Sequence, residues 1–162
     1  MFDLIIRGDQ VVTPQGTGAW DVCIQGDTIA AIAAPGTFDD SQAGQVIDAR
    51  GKIVIPGGID PHIHSLWHIP PLEEGGEVTW TDGPDVVSRA AIHGGTTTLL
   101  DFASWQQKGT LEEVINVRKQ DWTGNCYTDY GYHVLLQGAI PPELMPQIAE
   151  VIQEGYPSIK IF

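Results

Sequence analysis

The sequence predicts an α/β protein in which a small sheet precedes the first half of a parallel (β/α)8 barrel. Residues 3–33 contain short apolar segments separated by turn residues, which is typical of β hairpins. From Lys52 onward, apolar strands alternate with helical patterns, and this alternation is typical of a parallel sheet. The four strands predicted there are half of the eight that close such a barrel.

The first segment is predicted to form antiparallel hairpins. Gly8-Asp9, Pro14-Gln15-Gly16 and Gly26-Asp27 provide the positive or preset φ angles that tight turns need. The strands expected around these turns are Leu4–Arg7, Val11–Thr13, Trp20–Ile24 and Thr28–Ile32. A looser stretch follows them at residues 35–45.

The second segment is predicted to hold four strands and three helices. The strands are Ile53–Ile55 running on towards His64, Thr97–Phe102, Tyr132–Leu136 and Ser158–Phe162, and the helices cover about 84–94, 110–121 and 142–154. Thr110, with Glu113 three residues later, is typical of a capped helix start. We therefore divide the chain into residues 1–52, which form the first sheet, and residues 53–162, which form four units of an incomplete barrel.

The composition favours a globular protein that binds neither nucleic acid nor membrane. Hydrophobic residues make up 42% of the chain, which is enough for a packed core. Eight Lys and Arg residues against 21 Asp and Glu residues give a net charge of −13, which repels phosphate backbones. No apolar run approaches the ~20 residues that span a bilayer. The start of the chain lacks the features of a signal peptide, so a cytoplasmic location is expected.

Two histidines are the clearest candidates for metal ligands. His62 and His64 are two residues apart and follow an apolar segment, and residues i and i+2 of an extended chain point to the same side. Two neutral imidazoles on one side can bind the same metal ion. Taken alone, the motif is weak evidence, because two histidines on one side more often lie on a surface or form unrelated hydrogen bonds, so both interpretations stay open.

Lys160 is the second unusual residue, because Ile159 and Ile161 flank it in an apolar strand. A buried ammonium costs several kcal/mol unless it is paired or loses its charge. Lys160 is therefore either a functional group or a lysine that points outward from a strand whose isoleucines face the core.

Three segments of the chain resemble the cyclic amidohydrolases, which are the dihydropyrimidinases, D-hydantoinases, allantoinases and dihydroorotases. They are residues 47–64, 94–102 and 129–133, and their order and spacing fit over nearly the whole chain. The second and third segments look most like the dihydropyrimidinase branch. The resemblance implies that the leading strands are part of a small composite β-sandwich and that the rest is the first half of a TIM-like (β/α)8 barrel.

In that family, a lysine in the context of Ser158–Phe162 is carboxylated by CO2, and its carbamate bridges two metal ions. The resemblance therefore implies that His62 and His64 bind the more buried of two divalent ions, expected to be Zn2+, and that carboxylated Lys160 binds both. The carbamate removes the problem of a buried ammonium, because it is anionic and faces the metal charge. The family's other ligands are two histidines and an aspartate that also handles the proton. They come from later strands and are absent from these 162 residues.

The implied reaction is the hydrolysis of an amide in a small cyclic molecule such as a dihydropyrimidine or a hydantoin. A hydroxide shared by the two metal ions attacks the carbonyl. The resemblance also implies a homotetramer, and these residues alone are expected to be inactive. The alternatives are an allantoinase or dihydroorotase type of activity and a noncatalytic scaffold resembling dihydropyrimidinase. The scaffold proteins lack the ligands, so His62, His64 and Lys160 favour an enzyme.

The segment after the histidines departs from the pattern of the branch. Many relatives read Leu-Asp-Met-Pro-Phe there, whereas this chain has Ser65-Leu66-Trp67-His68-Ile69-Pro70. In hydantoinases this loop helps to form the pocket for the ring substituent, so Trp67 and His68 are candidate substrate contacts. The alternative for Trp67 is packing under its own loop. Asp101 and His133 also match the family, and we expect them to form hydrogen bonds beside the site, or to pack within the barrel, rather than to bind metal.

Overall fold

One long strand organises the first part of the chain, Met1–Pro56, which is a compact unit. The computed structural model of the protein describes residues 1–71 and 73–162. The strands of this unit are β1 (Phe2–Thr13), β2 (Gly16–Gln25), β3 (Thr28–Ala33), β4 (Ala43–Asp48) and β5 (Ile53–Val54). β1 pairs antiparallel with β2 and parallel with β4 and β5, and β2 pairs antiparallel with β3.

The structure corrects the strands predicted for this unit. Leu4–Arg7 and Val11–Thr13 belong to one strand, because the pairing with β2 continues across a register shift between Gly8 and Val11. A bulge of this kind absorbs extra residues without ending the strand. The pairings within residues 3–33 are antiparallel, as predicted, and β4 and β5 extend this sheet parallel to β1.

The prediction that Ile53–Ile55 begins the first barrel strand is wrong. The first two of these residues form β5 and pair with Gln10 and Val11 of β1. The strand that joins the barrel sheet begins at Gly58. Between the two strands lies Pro56, which has no amide proton to give to a sheet.

The second unit, Gly57–Phe162, has the repeated strand and helix pattern that was predicted. Its elements are β6 (Gly58–Asp60), β7 (His68–Ile69), β8 (Thr79–Trp80), α1 (Pro84–His93), β9 (Thr96–Trp105), α2 (Leu111–Trp122), β10 (Asp129–Leu136), α3 (Met145–Gln153) and β11 (Ile159–Ile161). β6, β9, β10 and β11 form a parallel sheet in the order β11-β10-β9-β6, and β7 pairs antiparallel with β8. One helix lies between each two successive strands of the parallel sheet.

The helices begin largely where the sequence indicates. At the start of α2, Thr110 Oγ1 accepts a hydrogen bond from the Glu113 amide at 3.1 Å, and Glu113 Oε2 accepts one from the Thr110 amide at 2.8 Å, which confirms the predicted cap. α3 begins at Met145, later than predicted, because Pro142–Leu144 form a separate turn of 3-10 helix. Within the described part of the chain, no helix is long and apolar enough to cross a membrane.

β9 has two chemically different faces. Leu99, Ala103 and Trp105 are buried in a cluster with apolar residues of α2 and β10. Asp101 lies between them on the same face of the strand and is also buried. Successive side chains of a strand point to opposite faces, so Phe102 lies on the other side of the sheet from this core.

Candidate functional site

The chain approaches β9 closely just before the two histidines. A Cβ atom at Gly57 would lie 2.1 Å from Thr97 Oγ1, so only glycine fits at this position. β6 then pairs with β9 as far as Asp60, and the Ile63 amide donates to the Leu100 carbonyl at 3.1 Å. The contact with β9 therefore continues past the end of β6.

The strand itself is shorter than the sequence predicted. It was expected to run on to His64, whereas β6 ends at Asp60. Pro61 has no amide proton, and the His62 amide donates to Asp60 Oδ1 at 3.1 Å instead of to β9. A short acidic side chain that binds a nearby amide in this way competes with the ladder of a sheet.

His62 and His64 nevertheless converge. Their Nε2 atoms lie 3.3 Å apart. Two nitrogens bound to one zinc ion at about 2.0–2.1 Å in tetrahedral geometry are separated by about 3.3–3.4 Å, so the spacing fits a shared ion. Burial, followed by the charge of His62, lowers the pKa of His64, and His64 Nδ1 is buried with no hydrogen-bond partner among the described residues. Both observations favour the neutral ring that binds metals.

Lys160 reaches the same region from the opposite edge of the sheet. It lies in register with Leu135 of β10, and its Nζ is 4.5 Å from the centroid of the Phe102 ring. Lys160 and His62 both line a cleft of about 210 Å³. No carboxylate of residues 1–71 or 73–162 forms an ion pair with Lys160. The ammonium is therefore held against an aromatic face.

Phe102 lies at the centre of this group, and the sequence analysis did not identify it. Its ring centroid is 4.7 Å from that of His62, 5.0 Å from that of His64 and 5.0 Å from that of His133. Its side chain is almost completely buried. The alternation of β9 was a signal for it, since a residue next to the core-facing Asp101 must point to the other face.

Two imidazoles do not make a complete metal site. Across the described ranges, 1–71 and 73–162, no three His, Cys, Asp or Glu side chains are placed to hold a metal ion together. His62 and His64 provide two nitrogen donors, whereas zinc sites use three or four protein ligands. The amine of Lys160 offers an anionic oxygen only after it is carboxylated, so the donors present fit a metal that takes further ligands from elsewhere.

The loop after the histidines forms a cavity beside them. The ring centroid of Trp67 is 4.1 Å from that of His64, and the ring of His68 is 5.6 Å from that of Trp80. Trp67, His68, Trp80 and Phe102 line a cavity of about 470 Å³, a size typical of small-molecule sites. The sequence analysis missed Trp80, because nothing in the sequence shows that β8 pairs with the strand of His68.

A buried ion pair supports this loop. Asp101 is fully buried and accepts hydrogen bonds from Arg118 and from Trp122 Nε1, the latter at 3.1 Å. Arg118 also donates through Nη2 to the Ser65 carbonyl at 2.6 Å and through Nη1 to Asp121 Oδ2 at 3.0 Å. Asp101 thus forms hydrogen bonds near the site, as expected, but the sequence analysis did not identify Arg118.

His133 forms two hydrogen bonds beside the histidine pair. Its Nε2 lies 2.8 Å from the Pro61 carbonyl oxygen, and its Nδ1 lies 2.5 Å from Ser158 Oγ. A carbonyl oxygen only accepts, so Nε2 carries a proton and donates to it. The ring is therefore held at both nitrogens.

Comparison with known proteins agrees with this architecture. The model of the Amidohydrolase family matches residues 45–119. A D-hydantoinase of Streptomyces coelicolor is 36% identical over 160 residues, covering 98% of this chain and 33% of that protein. A dihydropyrimidinase of Rattus norvegicus is 32% identical over 135 residues, covering 81% of this chain and 24% of that protein. The crystal structure of dihydropyrimidinase from Brevibacillus agri NCHU1002 has a TM-score of 0.81 and 33% identity, over 98% of this chain and 32% of that chain.

These matches confirm both the resemblance and the fold class predicted from the sequence. The chain spans about one third of the length of the first curated relatives that it matches. The match extends over nearly all of the chain, so it includes both the leading sheet and the four parallel strands. The chain is therefore similar to the amidohydrolase family over residues 45–119, and to D-hydantoinases and dihydropyrimidinases over nearly all of its length.

Proposed function

We propose that this chain carries part of the active site of a metal-dependent hydrolase that opens a cyclic amide, such as a hydantoin or a dihydropyrimidine. The observation that carries the proposal is the 3.3 Å spacing of the His62 and His64 Nε2 atoms, with Lys160 against the same aromatic ring. The names of the relatives, a D-hydantoinase and a dihydropyrimidinase, support the reaction class. Because the chain spans about one third of such proteins, the complete site would draw further ligands and an aspartate from outside it. We expect no turnover from these 162 residues alone.

His62 and His64 would hold one of two divalent metal ions, which we propose to be Zn2+. The ions would lower the pKa of water, so that a nucleophile exists at neutral pH, and would polarise the ring carbonyl. The lowered pKa of His64 keeps its ring neutral and able to bind. The contact of Ile63 with β9 fixes the backbone between the two rings.

Lys160 is proposed to react with CO2. The neutral amine attacks the carbon of CO2, a C–N bond forms, and one proton is released to solvent. The product is a carbamate with one negative charge and two oxygen donors, which is enough to contact both ions. In the described part of the chain, no carboxylate pairs with the ammonium, so the reaction breaks no ion pair.

The cavity lined by Trp67, His68 and Trp80 is proposed to hold the substituent of the ring. Its size suits a small molecule, and its aromatic walls favour an apolar or planar group. By the same family resemblance we propose a homotetramer and a cytoplasmic location. The net charge of −13 supports a protein that does not bind nucleic acid.

Loss of either histidine tests the metal site. In the complete protein, His62→Ala or His64→Ala should abolish ring hydrolysis and lower the bound metal, because each removes a ligand from a pair that the backbone holds in place. Elemental analysis of the purified variants measures the metal directly. His93→Ala, which changes an exposed histidine at the end of α1, is the control. Two metal ions per chain in either site variant would count against the assignment.

Changes in the cavity should alter which ring is opened and leave the metal in place. Trp67→Ala and His68→Ala remove walls of the cavity but no proposed ligand, so relative rates across a panel of hydantoins and dihydropyrimidines should shift by about tenfold or more. Metal content should stay at the wild-type level. Trp20→Ala, in the first unit, is a matched tryptophan control. Unchanged relative rates across the panel would remove both residues from the pocket.

A further inference from the structure

The two backbone carbonyls that flank the histidine pair are each held by a side chain from another element. Pro61 directly precedes His62, and its carbonyl accepts from His133 Nε2 at 2.8 Å. Ser65 directly follows His64, and its carbonyl accepts from Arg118 Nη2 at 2.6 Å. The segment is therefore anchored immediately before its first imidazole and immediately after its second.

The first anchor is itself rigid. His133 lies on β10, well inside a strand that is paired along its length with β9. Its Nδ1 forms a hydrogen bond with Ser158 Oγ at 2.5 Å, and its ring lies 5.0 Å from that of Phe102. A ring with both nitrogens bonded and one face packed has one orientation, so the donor to Pro61 points in a fixed direction.

The second anchor is an ion pair. Arg118 lies on α2 and is 8% exposed. Its guanidinium donates to Asp101 and, at 3.0 Å, to Asp121. Asp101 is fixed in turn by the Phe102 amide at 2.8 Å. A planar guanidinium with several partners holds its remaining donor in place.

We propose that His133 and Arg118 are positioning residues that hold the backbone on either side of His62 and His64, so that the two Nε2 atoms keep their ligand spacing before a metal ion binds. The inference rests on the proposed function in that it treats the histidines as a ligand pair. Between Pro61 and Ser65, the one backbone hydrogen bond to β9 among the described residues is that of the Ile63 amide. Without the anchors the segment would have to be ordered on binding, which weakens the observed affinity.

Variants of His133 in the complete protein test this directly. In a titration with Co2+, followed by the visible absorption of the bound ion, His133→Leu should weaken binding by about tenfold or more. His133→Gln places an amide donor near the position of Nε2 and should restore most of the affinity and the spectrum. The exposed His93→Leu is the matched control and should bind as the wild type does.

A second measurement needs no metal. The Ile63 amide donates to Leu100, so its hydrogen exchange reports the order of the segment. His133→Leu should speed this exchange by about tenfold, while the urea midpoint of the whole chain stays close to that of the wild type. If the wild type binds no Co2+, the proposed function fails, and the exchange rates still decide the anchoring role.

Affinity and Ile63 exchange both within twofold of the wild type in His133→Leu would overturn the inference. Should that variant not fold, His133→Asn and His133→Gln decide the matter. The glutamine amide reaches the Pro61 carbonyl and the asparagine amide does not, so glutamine alone should keep the affinity. Equal weakening in both, or none in either, would overturn the anchoring role.

Discussion

Lys160→Arg should inactivate the complete protein, lowering kcat/KM by at least about a thousandfold, which corresponds to about 4 kcal/mol of transition-state stabilisation. The guanidinium keeps the positive charge but cannot form a carbamate, so the two proposed ions lose the ligand that bridges them. Rates of ring hydrolysis and the metal content of the same samples measure the two effects together. Lys108→Arg, at an exposed lysine of the same unit, is the matched control and should remain active.

Lys160→Ala distinguishes the loss of the bridging ligand from crowding of the site by the larger arginine side chain. The alanine variant leaves space where the lysine stem lay, so acetate or propionate should restore part of the metal binding, whereas the arginine variant should not respond. Native mass spectrometry should show one CO2 on the wild-type lysine, released in acid as the metals leave. A fully active Lys160→Arg enzyme would refute the bridging role and leave Lys160 as an ordinary lysine on a barrel strand.

Arg118→Met should destabilise the second unit by about 3–5 kcal/mol, because it leaves a buried carboxylate without its cation. Asp101 is 0% exposed and would retain only the donors of Trp122 and the Phe102 amide. Domains are stable by only about 5–15 kcal/mol, so the loss is a large share of the total. Urea unfolding of the variant measures it, with Arg89→Met at an exposed arginine as the control.

A double variant tests the cause of that loss. Replacing a buried ion pair by apolar residues of similar volume is often neutral, so Asp101→Leu combined with Arg118→Met should recover most of the lost stability. It should not recover the hydrogen bond to the Ser65 carbonyl, so Co2+ affinity should stay low. Equal urea midpoints for Arg118→Met and Arg89→Met would show that Asp101 does not depend on Arg118.

Features set by local geometry were open to prediction from the sequence. The side shared by His62 and His64 follows from the two-residue period of extended backbone, which needs no knowledge of the fold. Thr110 and Glu113 are likewise three residues apart, and their hydrogen bonds depend only on the first turn of α2. The alternation of strands and helices after Lys52 indicated the parallel sheet for the same kind of reason.

Contacts made across the fold were not open to prediction in this way. Arg118 and Ser65 are 53 residues apart, and their hydrogen bond involves a backbone carbonyl, which every residue has and no sequence motif marks. The parallel pairing of β4 and β5 with β1 depends on which strands become neighbours, and not on their composition. In the sequence, Phe102 looks like an ordinary apolar strand residue, and only the assembled sheet shows that Lys160 lies against its ring.

The two faces of β9 also offer a practical plan for directed evolution. Odd-numbered positions such as Leu99, Ala103 and Trp105 belong to the packed interior, whereas Phe102 and Ser104 line the cavity next to the histidine pair. A combinatorial library limited to the even-numbered positions of this strand would vary the lining of the cavity that is proposed to hold the ring substituent, and it would leave the buried odd-numbered residues unchanged. Adjacent side chains of a strand point to opposite faces. Selectivity can therefore be varied at one position of β9 while the packed core is kept at the next.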